Sequence, residues 1–548
     1  MNNSGKLISQ LYSIRNSYGN NFSTKKLELL QVLNNERAIS SKAIQSYYST
    51  LLFLLAYPDN RSVYKEVTRS LQQLQLYIKS HPSVKDKLFN SGITETQLCA
   101  AYSFEIVKWL RQNHPQDIRF SSFEANEAQI QSILSVVMPK VESEILQDGN
   151  ASWKPWLKQS LKKGEELLDR LIAVFDEADI RPEVRDELWV AIGINVEIDF
   201  SFHNCLPASL FSPYYHHSLL KKLTTRQEPI AKPIRVKLDE TEAKKIIECG
   251  RMILVRHLRE IDPVTFTAPG LVSYYLLPRG FSIALMGMVP DRRQPIDCYM
   301  GYVVFKNGLP VAYAGSWILF DSSRIGLNVF PAYRGGESRY IFDLVLEVHR
   351  KVYRLNRFSV DPYQVGKDNS DGIHSGAFWI YYRAGFRPIG NEQKLLAESE
   401  AKKISADRKY RSPASVLKKL ADCRSELIMH KKAFRFDATD LSRAYASILK
   451  NQYSNNRKLA EEYSFKKLVK LLQIKNYHEG KLQFIIKNWC VLLLSNEKEL
   501  RSNKRLKKLL KTLFVLKASG SEEDYITALQ KEPELRKFLK KIIIENPA

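Results

Sequence analysis

"LNVFPAYRGGESRYIF", residues 327–342, runs from an apolar stretch ending in Pro331, through Gly335-Gly336, into a segment with apolar residues at helical spacing. Strand, glycine turn and amphipathic helix in that order form an arrangement that can hold an anion. Backbone N–H groups and the helix N-terminus supply the attraction, and glycine removes the Cβ that would keep the anion at a distance. A glycine pair alone marks no more than a turn. Its neighbours decide what this one means.

Upstream, "DETEAKKIIECGRMILVRHLREI" (239–261) has the period of a helix. "FSIALMGMV" and the pair "CYMGYVVF" and "LPVAYAGSWILF" read as strands, the last two joined at Asn307-Gly308, a strong hairpin signal. "RIGLNVF" predicts one further strand. Downstream, "ESRYIFDLVLEVHRKVYRL" predicts a helix, "RFSV" a strand, and "SGAFWIYYRAG" a helix closing at Gly385. Residues 24–200 and 395 onward show only helical periodicity, and 206–237 is interrupted by Pro207, Pro213, Pro229 and Pro233.

A chain of 548 residues exceeds the roughly 250–300 that one core sustains, so two or three domains are expected. The spacing predicts a helical domain at 1–205, a linker at 206–233, a mixed domain at 234–395 and a basic helical domain at 396–548. The formal charge is +24, and residues 401–548 hold 34 Lys and Arg against 16 Asp and Glu, or +18 of it. Such a tail favours an acidic partner, RNA or phospholipid. In "NKRLKKLLKTLFVLK", Leu506, Leu509, Leu510, Leu513 and Phe514 make one apolar face, with Lys504, Arg505, Lys507, Lys508 and Lys511 opposite; a packed helix with a solvated basic face is expected.

The six cysteines are scattered without a CxxC, which fits reduced thiols. The longest apolar runs, "LLFLLAY" and "CVLLLS", fall far below the roughly 18 residues of a bilayer span. No transmembrane segment and a cytoplasmic location are expected. His203 and Cys205 with His216 and His217 match no strong zinc spacing, and no metal is expected.

In its order of elements, the segment at about 234–395 resembles the GNAT acyltransferase superfamily. The specific part is two motifs. In "LNVFPAYRGGES", Leu327, Val329 and Pro331 match the L-x-V-x-P end of the family's fourth strand, followed by Tyr333-Arg334 and the glycines. In "HSGAFWIYYRAGFRPIG", Ala377, Tyr381, Gly385 and Phe386 match N-x-x-A-x-x-x-Y-x-x-x-G-F, with His374 at the Asn position. The resemblance implies an α+β fold with a central mixed, mostly antiparallel sheet, flanked here by N-terminal and C-terminal all-α domains.

It also implies transfer of an acyl group from acetyl-CoA or another acyl-CoA to the amine of a small molecule or peptide. The cofactor would lie on Asn328, Val329, Phe330, Tyr333, Arg334, Gly335, Gly336 and Ser338, with a backbone N–H near Asn328–Phe330 as oxyanion donor. Tyr381 would be the general acid for the departing thiolate. Asp361, His374 and Glu337 are the candidates for the base that takes the amine proton. Glu337 suits a phosphate site only if it turns away or pairs with Arg334 or Arg339. Without the family, Phe378, Tyr381, Tyr382 and Phe386 form an aromatic stripe that reads as core. Arg256, His257, Glu260 and Asp262 read as a polar helix end.

The sequence is compatible with two other functions. Fem-type aminoacyl transferases share the fold and use charged tRNA, which the basic tail could hold. The alternative is a non-enzymatic helical interaction protein built on a degenerate acyltransferase core.

Overall fold

The computed structural model describes residues 3–35, 40–147, 152–199, 205–220, 232–407, 409–429, 437–475, 480–531 and 533–547. His203 and Pro229 lie outside them. Four helices, Asn3–Ile14, Asn20–Asn34, Ser41–Ala56 and Arg61–Ser80, open the chain around an apolar cluster that includes Leu30, Leu51 and Val67. The N-terminal region then departs from the all-α expectation. Strands β1 (Gln97–Ala101), β2 (Ile118–Phe123) and β3 (Ile194–Asp199) form an antiparallel sheet in the order β1-β3-β2. The reason is the two-residue alternation in "INVEID", where Ile194, Val196 and Ile198 face inward and the residues between them do not. Helices Phe104–Asn113 and Pro182–Ile192 cover it, with Phe104 and Phe175 set edge-on to Trp189.

The second sheet has ten strands: β4 (Ile234–Val236), β5 (Val272–Leu276), β6 (Phe281–Met286), β7 (Cys298–Lys306), β8 (Leu309–Leu319), β9 (Ser322–Ile325), β10 (Asn328–Val329), β11 (Arg357–Val360), β12 (Arg387–Pro388) and β13 (Ser425–Ile428). Its order is β4-β5-β6-β7-β8-β9-β11-β13-β12, with β10 beside β8. The fold class is therefore α+β. Between β4 and β5 runs the Glu240–Arg256 helix, started by a capping box in which Asp239 and Glu242 each accept the other's amide. β7 is buried at every position and β8 at all but Trp317, so both faces of the sheet centre are covered, which explains their near-continuous apolar sequence.

The hairpin between them has Asn307 at φ +48° and Gly308 at φ +79°, the paired positive angles of a two-residue I′ turn. This turn is not a solvent tip. Asn307 Nδ2 donates to the Ala56 and Tyr214 carbonyls and its Oδ1 accepts from the Tyr214 amide, so the first helical layer and the proline-rich segment are sewn onto the sheet here.

Two expectations change at the C-terminal side. β13 lies beyond residue 395 yet pairs antiparallel with both β11 and β12, so residues up to Ile428 complete the central sheet. The later helices share the sheet's apolar core instead of building a separate one. Gln530 Nε2 donates to the Phe320 and Tyr353 carbonyls, the Tyr525 hydroxyl to Ile296, and Lys517 Nζ to Asp297 and Glu522. In the Lys504–Ser519 helix, Leu506, Leu510, Leu513 and Phe514 are buried while Lys504, Arg505, Lys508 and Lys511 are exposed. No helix among the described residues is long and apolar enough to cross a membrane.

Candidate functional site

β9 and β11 are the one parallel pair among the described strands, joined by the Ser338–Val352 helix as crossover. They pair only over Ser322–Arg324 and Arg357–Ser359. The chain of β9 then leaves its partner. Where the sequence predicts one strand from Arg324 to Phe330, the structure breaks it at Gly326-Leu327 and resumes it as β10 along β8 alone. The local cause is visible at Gly326. Its carbonyl accepts the Tyr302 hydroxyl, and a Cβ there would lie 2.8 Å from the Gln364 side chain.

Into the resulting gap comes Tyr381 from the short Ala377–Arg383 helix. Its hydroxyl accepts the Leu327 amide hydrogen at 3.2 Å. The ring is buried, edge-on to Phe342 and packed against Phe386, so most of the aromatic stripe is core as well. Burial pushes the Tyr381 hydroxyl well above its ordinary range, so it carries its proton at neutral pH. The amide that meets the tyrosine belongs to Leu327, not to the 328–330 segment. The Phe330 amide is spent on Val311 in the ladder.

At the glycine turn, Gly335 sits at φ +85°, a conformation glycine adopts without strain. Gly336 is fixed by crowding instead, since a Cβ would come 3.0 Å from the Tyr57 ring. No side chain caps the following helix at Glu337, and Ser338 starts it half-buried. The Arg15 guanidinium lies 3.5 Å from where a Gly335 Cβ would be, and Arg334 is exposed beside it, its Nε donating to the Val329 carbonyl at 3.2 Å. Two guanidinium groups thus flank an uncapped helix N-terminus, a combination suited to an anion. Asn328 is exposed, Val329 half-buried, and Phe330 and Tyr333 buried. Phe330 stacks on His257 and Tyr313.

Glu337 turns away from this surface. It is fully buried, and it pairs with Arg279 at 2.7 Å rather than with Arg334 or Arg339. It also accepts the Leu220 amide at 2.8 Å and lies 3.6 Å from Lys306 Nζ. Arg339 instead pairs with Asp343. Burial lowers Lys306 to about 7, against the upward pull of Glu337. His216, beside Arg279, is pushed far down by burial and by the neighbouring cations. This is an internal ion cluster that fastens the turn to the segment after residue 205, with the Glu337 side chain itself at zero exposure.

The other candidates for the base lie elsewhere. Asp361 closes β11 at the side where the strands part, half-buried, 3.3 Å from Arg324 Nε and 3.5 Å from Arg424 Nε. His374 is exposed at the end of the Ser370–His374 helix. The structure therefore brings Tyr381 together with the β9–β10 break, and separates Glu337 from both. Glu260, read as part of a polar helix end, holds Ser103, the N-cap of the Phe104–Asn113 helix, by accepting from its N and Oγ. Among the described residues, no group of three or more His, Cys, Asp or Glu is placed to hold a metal ion.

Arg15, Tyr57 and Arg279 were not found from sequence. Each reaches the turn from a distant element, and no local pattern marks it. Comparison with protein-family models, with curated proteins and with solved structures finds no match for this chain.

Proposed function

We propose that the central sheet acts as a GNAT-type acyltransferase that moves an acyl group from a CoA thioester to an amine. The observation that carries this reading is the Tyr381 hydroxyl on the Leu327 amide, at the point where parallel β9 and β11 part. The order of the strands, the crossover helix and the uncapped glycine turn support it. The acyl-CoA supplies the activated thioester, and the residues around the gap do the rest.

Arg15, Arg334 and the amides of Gly335, Glu337 and Ser338 hold the phosphates, with the Glu337 carboxylate withdrawn into its own ion cluster and away from them. The Leu327 N–H, released from Tyr381 when the gap is filled, donates to the thioester carbonyl oxygen as negative charge develops there. Asp361 receives the proton of the attacking amine, directly or through water. The C–N bond forms, the C–S bond breaks, and the Tyr381 proton passes to the departing sulfur. The Tyr381 hydroxyl holds its proton at neutral pH, so one is present to donate, and burial makes it a weaker acid than a free tyrosine.

The test is titration calorimetry of the full chain with acetyl-CoA and longer acyl-CoAs, followed by mass-spectrometric detection of acylated amines. Saturable binding is expected, weakened by Arg15→Glu. No binding of any acyl-CoA at millimolar concentration removes the reading.

A further inference from the structure

A cavity of about 520 Å³ lies where the Ser41–Ala56 and Arg61–Ser80 helices meet the end of the Glu240–Arg256 helix and the Pro331–Tyr333 turn. Its size falls within the roughly 300–1,000 Å³ of small-molecule sites. Gln45, Gln72 and Pro331 stand exposed at the rim, while Leu71, Ile93, Thr94 and Arg256 are buried in the walls. The cavity is therefore open at one side and closed at depth.

Its charge pattern is one-sided. Among the described residues that line it there is no Asp, Glu or Lys, and Arg256 is the one guanidinium. That side chain is 7% exposed, and its Nη1 donates to the Tyr48 hydroxyl at 3.1 Å. Tyr48 in turn shares a hydrogen bond of 3.1 Å with Thr94, so a polar relay runs along one wall opposite apolar Leu52 and Leu55. His257 adds no charge at neutral pH, because burial and the adjacent Arg256 lower it to about 4. Cys205 adds no nucleophile, because burial raises its thiol to about 11. Among the described lining residues the formal charge is thus the Arg256 guanidinium, set in a pocket of reduced dielectric where its pull on an opposite charge is stronger than in water.

We infer that this cavity binds a small organic anion, a carboxylate or phosphate group on an apolar body, with the anionic group on Arg256 and Tyr48 and the body against Leu52, Leu55 and Leu71. The site shares Tyr333 with the glycine-turn segment but none of Tyr381, Leu327 or Asp361, and it does not rest on the acyltransferase reading. Because Tyr333 leads directly into Gly335-Gly336, a ligand here would touch the chain that positions the turn.

The experiment is calorimetry of the full chain with octanoate, octyl phosphate, octylamine and octanol. The anions are expected to bind one site at least about ten-fold more tightly than the amine or the alcohol, the margin of one charge-assisted hydrogen bond. Which anion binds more tightly identifies the headgroup. Gln72→Glu and Gln45→Glu, both at the exposed rim, place a carboxylate at the mouth. Each is expected to weaken the better anion by about ten-fold at an unchanged unfolding midpoint. Octylamine or octanol binding as tightly as the anions overturns the proposal. So does the absence of saturable anion binding at millimolar concentration, or an unchanged affinity in both rim variants.

Discussion

The Leu327 amide and the Tyr381 hydroxyl, 54 residues apart in the chain, meet at 3.2 Å across the gap left when β9 abandons β11. Tyr381→Phe removes the only acceptor shown for that amide and leaves a half-buried N–H without a partner. A loss of about 1–3 kcal/mol in urea unfolding is expected. For the proposed transfer, the same variant is expected to lose about 10²–10⁴ in kcat with little change in the KM for acyl-CoA, because the acid acts in the transition state. A Tyr381→Phe enzyme with full kcat would remove the tyrosine from the chemistry while leaving the stability result intact.

Glu337 is where stability and function separate. With Arg279 at 2.7 Å and Lys306 at 3.6 Å, the buried carboxylate faces one half-buried and one fully buried cation. Glu337→Gln leaves them uncompensated and is expected to cost about 3–5 kcal/mol, the usual penalty for breaking a buried pair from one side. The check is chemical denaturation of Glu337→Gln beside Lys244→Gln, which breaks only an exposed pair with Glu240 and is expected to cost a small fraction of that. Equal losses in the two variants would refute the ion-cluster account.

How far the sequence announced this arrangement depends on the range of each interaction. The β7–β8 hairpin was legible because Asn307-Gly308 and the flanking apolar runs are local signals. The β1-β3-β2 sheet was not, because its strands are short, separated by helices and paired across long intervals, as in Gln97↔Asp199. β13 spans only "SELI", and nothing in four residues foretells its place between β11 and β12. The same holds at the site. Tyr381 and the glycines are readable in place, whereas the partner of Glu337 is Arg279, 58 residues upstream, rather than the adjacent arginines.

His349 gives the structure a predictable acid limit. It is fully buried, its Nδ1 on the Val345 carbonyl at 2.9 Å and its Nε2 on Ser316 Oγ at 3.1 Å, which defines a neutral ring with the proton on Nδ1. Burial lowers it to about 4, while an unfolded chain takes up the proton near 6.5. Between those values the unfolded state binds more protons, so stability falls as pH drops through this window. The loss from His349 at pH 5 amounts to about 2 kcal/mol. His257, also lowered to about 4 by burial, works in the same direction. Urea titrations at pH 7 and pH 5 are expected to differ by less in His349→Gln than in the parent chain. An unchanged difference would show that His349 does not set the limit.

The last prediction concerns the contact that fixes the glycine turn. A Cβ on Gly336 would lie 3.0 Å from Cε2 and Cζ of Tyr57, a fully buried ring packed against Phe53 and His216. That ring has little room to retreat, so Gly336→Ala is expected to destabilise by about 1–3 kcal/mol through overpacking. Tyr57→Leu alone opens a cavity and is expected to cost about 2–4 kcal/mol. The two together are expected to cost less than their sum, because the leucine vacates the space the new methyl needs, giving a coupling of about 0.5–3 kcal/mol in a double-mutant cycle. Additive costs would mean that Gly336 is required for its backbone rather than for its contact with Tyr57. In that case Gly336→Ala should weaken acyl-CoA binding in the Tyr57→Leu background as strongly as in the parent.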